Sequence, residues 1–412
     1  MTRISTAQSQ EASLRALQRR QADLQRAQDR LVGGLRVARP SDDPAAAARA
    51  ERALADQSRS EGLLRSVEAS RTAMSLVEST MGQAIDLMQS ARDTLVAAGN
   101  GAYGTGERQT LAEHLRQVRG QLKTLANAQN TEGHFLFGGL GGEVSPFVDS
   151  GGAVIFQGQA GEAGASLSES LPLAVDGQSI WLGARTGNGV FQTSAQTQSG
   201  SAAWIGTGEV SDPGALALAS GERYEITFDS PTQFSIAHVD AGGASVPYPD
   251  AASNSHAYTP GQAIRSLPGM SLMISGTAVA GDKFTVQPST ADLSVFDALD
   301  RVIDVLGAPA SQAVNAGQRN QVVQAGLNDV DQVLANFQLA RSRAGEALNR
   351  FDNLESRTDS RILADKGIRS QAVDLDLAEG ASDVATRQTV YQAALQSYSM
   401  VRKLSLFDYL GN

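Results

Sequence analysis

The sequence predicts a mainly α protein with an inserted all-β domain. Three observations carry this. Residues Thr2 to Ala128 are rich in Arg, Gln, Glu, Ala and Leu, and helical patterning returns from Asp292 to Leu410. Between them, from Gly138 to about Thr290, Gly, Ser, Thr and Pro prevail around short β-branched and aromatic runs. The two ends also carry matching narrow apolar stripes. Leu17, Leu24 and Leu31 recur at a seven-residue step, as do Val384, Tyr391 and Tyr398. That is the spacing of a coiled-coil seam, so the ends are expected to pair in a helical coiled coil or bundle.

The first helix is expected from Ile4 to Leu31, very polar, with Ile4, Leu14, Leu17, Leu24 and Leu31 as its aliphatic residues. The chain breaks at Val32-Gly33-Gly34 and again at Arg39-Pro40. In Ser41-Asp42-Asp43-Pro44 the second Asp is a good N-cap and Pro44 takes the first helical position. A second helix then runs from Pro44 to about Ala98. Its face of Leu63, Val67, Met74, Val77, Met81, Ile85 and Met88 recurs at three- and four-residue steps, with the methionines as core filler. Gly99-Asn100-Gly101 ends it. A third helix is expected from Glu107 to about Ala128.

Beyond the β segment, Leu293 to Leu306 reads as a short helix. A long helix follows from Gln318 to about Asp374, with Val322, Val330, Val333, Phe337, Ala344, Leu348, Phe351, Leu354 and Ile362 on its apolar face. Gly345 lies inside it, where glycine costs about 1 kcal/mol relative to Ala, so a close helix contact is expected there. The last helix carries Val390, Tyr391, Leu395, Tyr398, Val401, Leu404, Leu406 and Phe407. Strands are expected at Ala153–Phe156, Leu171–Val175, Tyr224–Phe228, Gln233–Val239, Ser271–Ile274 and Lys283–Gln287, in a small antiparallel sandwich or barrel. The domain boundaries that result are 1–38 with 376–412 for the terminal pair, 39–138 with 291–375 for a helical bundle, and 139–290 for the β insert.

Composition excludes several functions. Net charge is -10 over 412 residues, which argues against nucleic-acid and anionic-membrane partners, because both need a basic surface. No cysteine is present, so disulfides, thiolate metal sites and a cysteine nucleophile are excluded. The N-terminus lacks the continuous apolar core of a cleavable signal, and no stretch approaches a transmembrane span. His114, His134, His238 and His256 form no HExxH motif or other ligand spacing, and no GxSxG elbow occurs. Phe137-Gly138-Gly139-Leu140-Gly141-Gly142 lacks the Lys-Ser/Thr of a phosphate loop and reads as a hinge into the insert. Asp374 and Asp376 have nothing basic beside them in sequence. The reading is therefore not an enzyme, with no cofactor, no metal and no catalytic residue. Arg19-Arg20, Arg341 and Arg343 read as a solvated face or as ion-pairing partners for Asp42, Asp43 or Glu51 of another copy.

Several motifs carry a family resemblance. MTRIST at the start, the polar helix after it, and ARPSDDPAAAARAE with Pro40, Ser41, Asp42, Asp43 and Pro44 resemble the N-terminal region of bacterial flagellins and their relatives. LARSRAGEALNRFDNLESR, from Leu339 to Arg357, resembles the flagellin-type C-terminal helix, with Arg343, Gly345 and Asn349 in place. Two further stretches are similar to the hook–filament junction members of that family. One is LANAQNTEGHFLFGGLGG, with Asn130, Gly133, Phe137, Gly138 and Gly139; the other is the ending YQAALQSYSMVRKLSLFDYL. SLMISGTAVAGDKFTVQPS, from Ser271 to Ser289, resembles their insert. The usual Thr-Gly-Lys-Arg turn of flagellins is replaced here by Val32-Gly33-Gly34-Leu35-Arg36.

The resemblance implies a flagellin-like fold and a structural junction between hook-associated protein 1 and flagellin. It also implies type III export to the flagellum outside the cell, an export chaperone on the C-terminal helix, and other copies of the chain in a ring. The assembly surface then falls on Ile4, Leu14, Leu17, Leu24, Leu31, Tyr391, Leu395, Tyr398, Val401, Leu404, Leu406 and Phe407. Terminal helices with so few aliphatics are marginal in water, so they are expected to be disordered in the monomer and to order on assembly. Two alternatives stand beside this. One is a filament flagellin. The other is an adhesin or enzyme using the insert, with Trp181, Trp204, Tyr224 and Tyr248 as a sugar-stacking face or, conversely, as core.

Overall fold

The structure, a computed structural model, describes residues 6–164, 170–250, 252–309 and 314–410, and within these the side chains at 6, 7, 9, 10 and 401–410 are outside the description. The chain forms two compact units: Met1–Arg65 with Asn353–Asn412, and Ser66–Asp352. The helices are α1 (Thr6–Gly33), α2 (Pro44–Ala98), α3 (Thr105–Ala126), α4 (Gly177–Trp181), α5 (Val295–Gly307), α6 (Ala316–Val373) and α7 (Leu377–Leu410). The unit boundaries fall inside α2 and α6.

The long helices start and stop close to where their sequence signals place them. Asp43 caps α2, its carboxylate accepting from the Ala46 N–H at 3.0 Å, and Pro44 opens the helix. Ser294 caps α5 by accepting from the N–H groups of Phe296 and Asp297. In the second unit α2 and α6 run antiparallel, tied by Arg71–Asp352, Arg341–Glu78 and Arg92–Asp331, each at 2.7 Å. Met74, Met81 and Met88 are fully buried, as are Phe337 and Phe351 of α6. Gly345 departs from expectation. A Cβ placed there meets nothing within 4 Å, so no close helix contact in this chain explains it. The close approach lies instead at Gly326, where a Cβ would come within 2.5 Å of Val302 on α5.

The insert divides in two. Strands β1 (Phe147–Ser150), β2 (Ala153–Phe156), β3 (Ala163–Gly164) and β4 (Pro172–Ala174), with α4, build onto the helices rather than onto a sandwich. Their anchor is Trp181, 1% exposed, with ring centroids 4.9 Å from Phe337, 5.5 Å from Phe137 and 6.3 Å from Phe296. The sandwich begins at β5 (Phe191–Gln196). β6 (Trp204–Ile205), β7 (Glu209–Val210), β8 (Arg223–Ser230), β9 (Gln233–Val239), β10 (Ser245–Pro247), β11 (His256–Ala257), β12 (Ala263–Ile264), β13 (Met270–Ser275) and β14 (Lys283–Pro288) follow. One antiparallel sheet has the order β10-β9-β8-β14-β5, with β11 on β9; the other has β12-β13-β6, with β7 on β13. Both face one core that includes Phe191, Ile205, Ile226, Phe228, Ile236, Leu272, Ile274 and Phe284. β8 alternates buried and half-buried positions, as a strand with one face inward must.

The glycine loop is not a hinge. Gly139 takes φ +65°, and a Cβ there would overlap the Gln159 carbonyl. Backbone bonds staple the loop on two sides: Gly139 N–H to Val175 O at 3.2 Å, Leu140 N–H to Gln159 O at 2.9 Å, and Gln159 N–H to Gly138 O at 3.2 Å. Asn127 fixes the approach, donating to Phe147 O at 2.9 Å and accepting from Phe147 N–H at 3.0 Å. Asn130 accepts from the N–H groups of Glu132 and His134 around Gly133 at φ +85°. The four aromatics of the adhesin alternative share no exposed face. Trp181 and Tyr224 are buried, the Tyr224 hydroxyl donating to Ala217 O, while Trp204 and Tyr248 are half-buried.

Two outcomes follow. Trp181→Ala should destabilise the second unit by about 3–5 kcal/mol in chemical denaturation, the usual loss for a fully buried aromatic. Asp149 lies beside Lys123 and Arg119, and the Lys123 hydrogen bond holds its carboxyl below the ordinary 3.8. A depressed folded-state pKa contributes stability above 3.8 that is lost as pH falls through the folded value. Asp149→Asn should therefore be less stable than the parent at neutral pH, with the gap closing below pH 3.8; a gap that stays constant would refute the assignment.

Candidate assembly interface

In the first unit α1 packs against α7. The two run antiparallel, since Gly380 at the start of α7 sits against Leu31 at the end of α1. Leu17, Leu24 and Leu31 are half-buried, with Ala27 fully buried between them. On α7 the half-buried positions are Asp383, Val384, Arg387, Tyr391, Ala394 and Tyr398, and no described side chain beyond Gly380 is fully buried. The seven-residue steps of the two ends are thus the positions that shield each other. The seam is thin. Leu14 stays 45% exposed, Leu395 41% and Met400 58%. Ile4 lies outside the described residues, and the side chains of Val401, Leu404, Leu406 and Phe407 lie outside the described side chains.

A zipped joint sits at the base of this pair. Gly34 adopts φ +67°, which turns the chain so that Leu35 bridges Asp374 in antiparallel fashion. Leu375 N–H donates to Gly34 O at 2.9 Å and Arg36 N–H to Val373 O at 2.8 Å. The Arg36 guanidinium donates to Ala372 O at 2.7 Å and reaches Asp43 at 3.5 Å. Asp376 then caps α7 by accepting from Ala378 N–H at 2.8 Å and Glu379 N–H at 3.3 Å. Arg36 therefore ties both halves of the joint together, a role its place after two glycines does not announce.

The Pro40–Pro44 motif is engaged within the chain. Asp42 accepts from the N–H groups of Ala38 and Arg39 and lies 3.8 Å from Arg30. Asp43 is held below the usual carboxylate range by the Ala46 N–H first, with Arg36 adding to it. Both acids thus have partners inside their own chain, beside which an arginine of another copy would have to bind. Asp374 and Asp376 are likewise a bridge partner and a cap. Gly380 was not singled out by its sequence, yet it is buried, and a Cβ there would come within 2.6 Å of Leu375 and 3.3 Å of Leu31. Around the joint Val32 is 89% exposed and Leu377 63% exposed, so apolar surface remains uncovered. Arg343 and Asn349 are exposed on α6, in the second unit. Among the described residues no group of three or more His, Asp or Glu could hold a metal ion, and no helix is long and apolar enough to cross a membrane.

Residues 4–141 match the family model for the bacterial flagellin N-terminal helical region. Over 406 residues the chain is 24% identical to flagellar hook-associated protein 3 of Escherichia coli, spanning 98% of this chain and 99% of that protein. It is 32% identical over 150 residues to the Salmonella typhimurium protein of the same name, spanning 36% of this chain and 47% of that one. Among solved structures, FlgL of Xanthomonas campestris shares the fold at TM-score 0.67 and 22% identity, covering 78% of this chain and 99% of that one. Hook-associated protein-3 of Legionella pneumophila does so at TM-score 0.68 and 21% identity, covering 77% and 97%.

Two glycines of the helices should respond oppositely to alanine. Gly380→Ala should cost about 1–3 kcal/mol, because the site has no room for a methyl group. Gly345→Ala should gain about 1 kcal/mol in the isolated chain, because the methyl meets nothing and the helix interior prefers Ala. Thermal unfolding followed by circular dichroism measures both.

Proposed function

We propose that this chain, which belongs to the bacterial flagellin family and is a structural component of the flagellum, joins hook-associated protein 1 to the first flagellin subunits. The observation that supports this most is the similarity along nearly the whole chain, 98% of it, to a flagellar hook-associated protein 3, termini and insert included. The role is assembly, without catalysis or cofactor. Residues 1–38 with 376–412 act as the inner layer, 39–138 with 291–375 as a helical bundle, and 139–290 as the insert.

The mechanism follows from how little the terminal pair buries. A two-helix seam with only Ala27 and Gly380 buried among its described side chains gains little from packing there, and isolated helices are marginal. In the exported monomer the pair is disordered, and it orders when Leu14, Leu395 and the C-terminal aliphatics meet neighbouring copies in a ring. Folding is then coupled to incorporation, which keeps free chains from polymerising early. The chain leaves through the flagellar type III channel with a chaperone on its C-terminal helix.

A filament flagellin is the second reading, since the N-terminal family model is that of flagellins. A null mutant separates the two. Under the junction reading it keeps its hooks while exported flagellin escapes into the medium; intact filaments in that mutant would exclude the role. Circular dichroism of the purified monomer, with and without both ends, tests the coupling. The ends should add little helix, and a large helical contribution from them would rule out disorder before assembly.

A further inference from the structure

α6 carries three exposed arginines in the second unit, and they are not equivalent. Arg341 is paired with Glu78 at 2.7 Å. Arg350 donates to the Ser170 carbonyl at 3.1 Å and has no carboxylate partner among the described residues. Arg343, beside the cleft edged by Met74, Val77 and Ser179, has no ion-pair or hydrogen-bond partner among the described residues. Arg343 and Arg350 are seven residues apart, two helical turns or about 10.5 Å along one face.

The complement of this pair lies on α5. Its exposed positions include Asp297 and Asp304, again seven residues and two turns apart. Neither has a counter-ion among the described residues. The third acid of that face, Asp300, is held by Arg119 at 2.6 Å, and the remaining two repel it. The pairs cannot meet within one chain. Arg301 of α5 holds Asp329 at 2.6 Å, and Val302 faces Gly326, so α5 lies alongside that stretch of α6. Arg343 is a further 14 residues along from Asp329, roughly 21 Å.

We propose that Arg343 and Arg350 receive Asp297 and Asp304 of a second copy of this chain, as a two-point charge clamp between neighbouring subunits. Equal spacing lets both pairs form together when α5 of one copy lies along α6 of the next. Opposite charge also favours this contact between chains whose net charge of -10 otherwise makes them repel. The clamp is separate from the terminal helices, so it orients subunits through their folded parts.

The absence of native cysteine makes the test direct. Full-length chains carrying Arg343→Cys are expressed in the parent bacterium together with chains carrying Asp297→Cys or Asp304→Cys. Isolated flagella are then treated with a short bismaleimide. A cross-linked dimer is expected for one of the two combinations and not for Arg343→Cys paired with Asp292→Cys. Absence of any specific dimer in flagella that contain both chains overturns the clamp. A second measurement uses charge reversal. Arg343→Glu with Arg350→Glu, and Asp297→Arg with Asp304→Arg, should each lose incorporation into flagella while keeping the parent's thermal unfolding. Combining all four in one chain should restore it; a combined variant as defective as either parent overturns the proposal.

Discussion

Everything in the first unit depends on a shortage of apolar surface. α1 has 28 residues and α7 has 34, yet among their described side chains the apolar ones shielded from water amount to a line of leucines with Ala27 on α1 and Val384, Tyr391, Ala394 and Tyr398 on α7. Such a seam cannot compensate the entropy of ordering more than sixty residues by itself. The zipped joint answers part of this deficit. Gly34 turns the backbone, Arg36 and Leu375 close two backbone hydrogen bonds to the opposite segment, the Arg36 guanidinium adds one to the Ala372 carbonyl, and Asp376 starts α7 by accepting from the N–H groups of Ala378 and Glu379. The joint fixes where the two helices begin, and Gly380 then lets them approach.

The second unit is stabilised differently. Its helices meet through bulky, fully buried side chains, and the segment 139–184 joins them through one aromatic cluster around Trp181. The glycine loop belongs to that cluster. A loop that had to flex would not carry Gly139 against the Gln159 carbonyl or bonds to both Val175 and Gln159. Glycine is needed here for closeness, and closeness makes the entry into the insert stiff.

What could be read from sequence, and what could not, follows from the range of the interactions. α2 was legible from end to end because its signals are local: an Asp cap, a proline in the first turn and a glycine stop. The seam was legible because seven-residue periodicity survives without knowledge of the partner. β5 was missed because FQTSAQ has one large apolar side chain, Phe191, with only the small Ala195 beside it against the core, and hydrogen-bonds to β14, some ninety residues later. Arg36 was missed for the same reason, its partner Ala372 being hundreds of residues away, and Gly380 because it is closed in by Leu375 only once the joint has folded and by the distant Leu31. Gly345 was misread, because a helix-interior glycine suggests close packing, and here nothing in its own chain is close.

That last misreading has a constructive side. A half-buried glycine that costs helix stability and would meet nothing as alanine sits two residues from Arg343, which has no ion-pair or hydrogen-bond partner among the described residues. Within a single chain both are unexplained. The clamp proposed above would supply an inter-subunit interaction for this stretch of α6. The same logic covers Val32, Leu377 and Leu395, apolar groups left in water at the joint and along α7. On the proposed reading the monomer is completed in two distinct ways, electrostatically on its folded bundle and hydrophobically at its ends. Charge acts over a longer range than apolar burial. A subunit would first be oriented through the bundle and only afterwards fold its ends into the assembly.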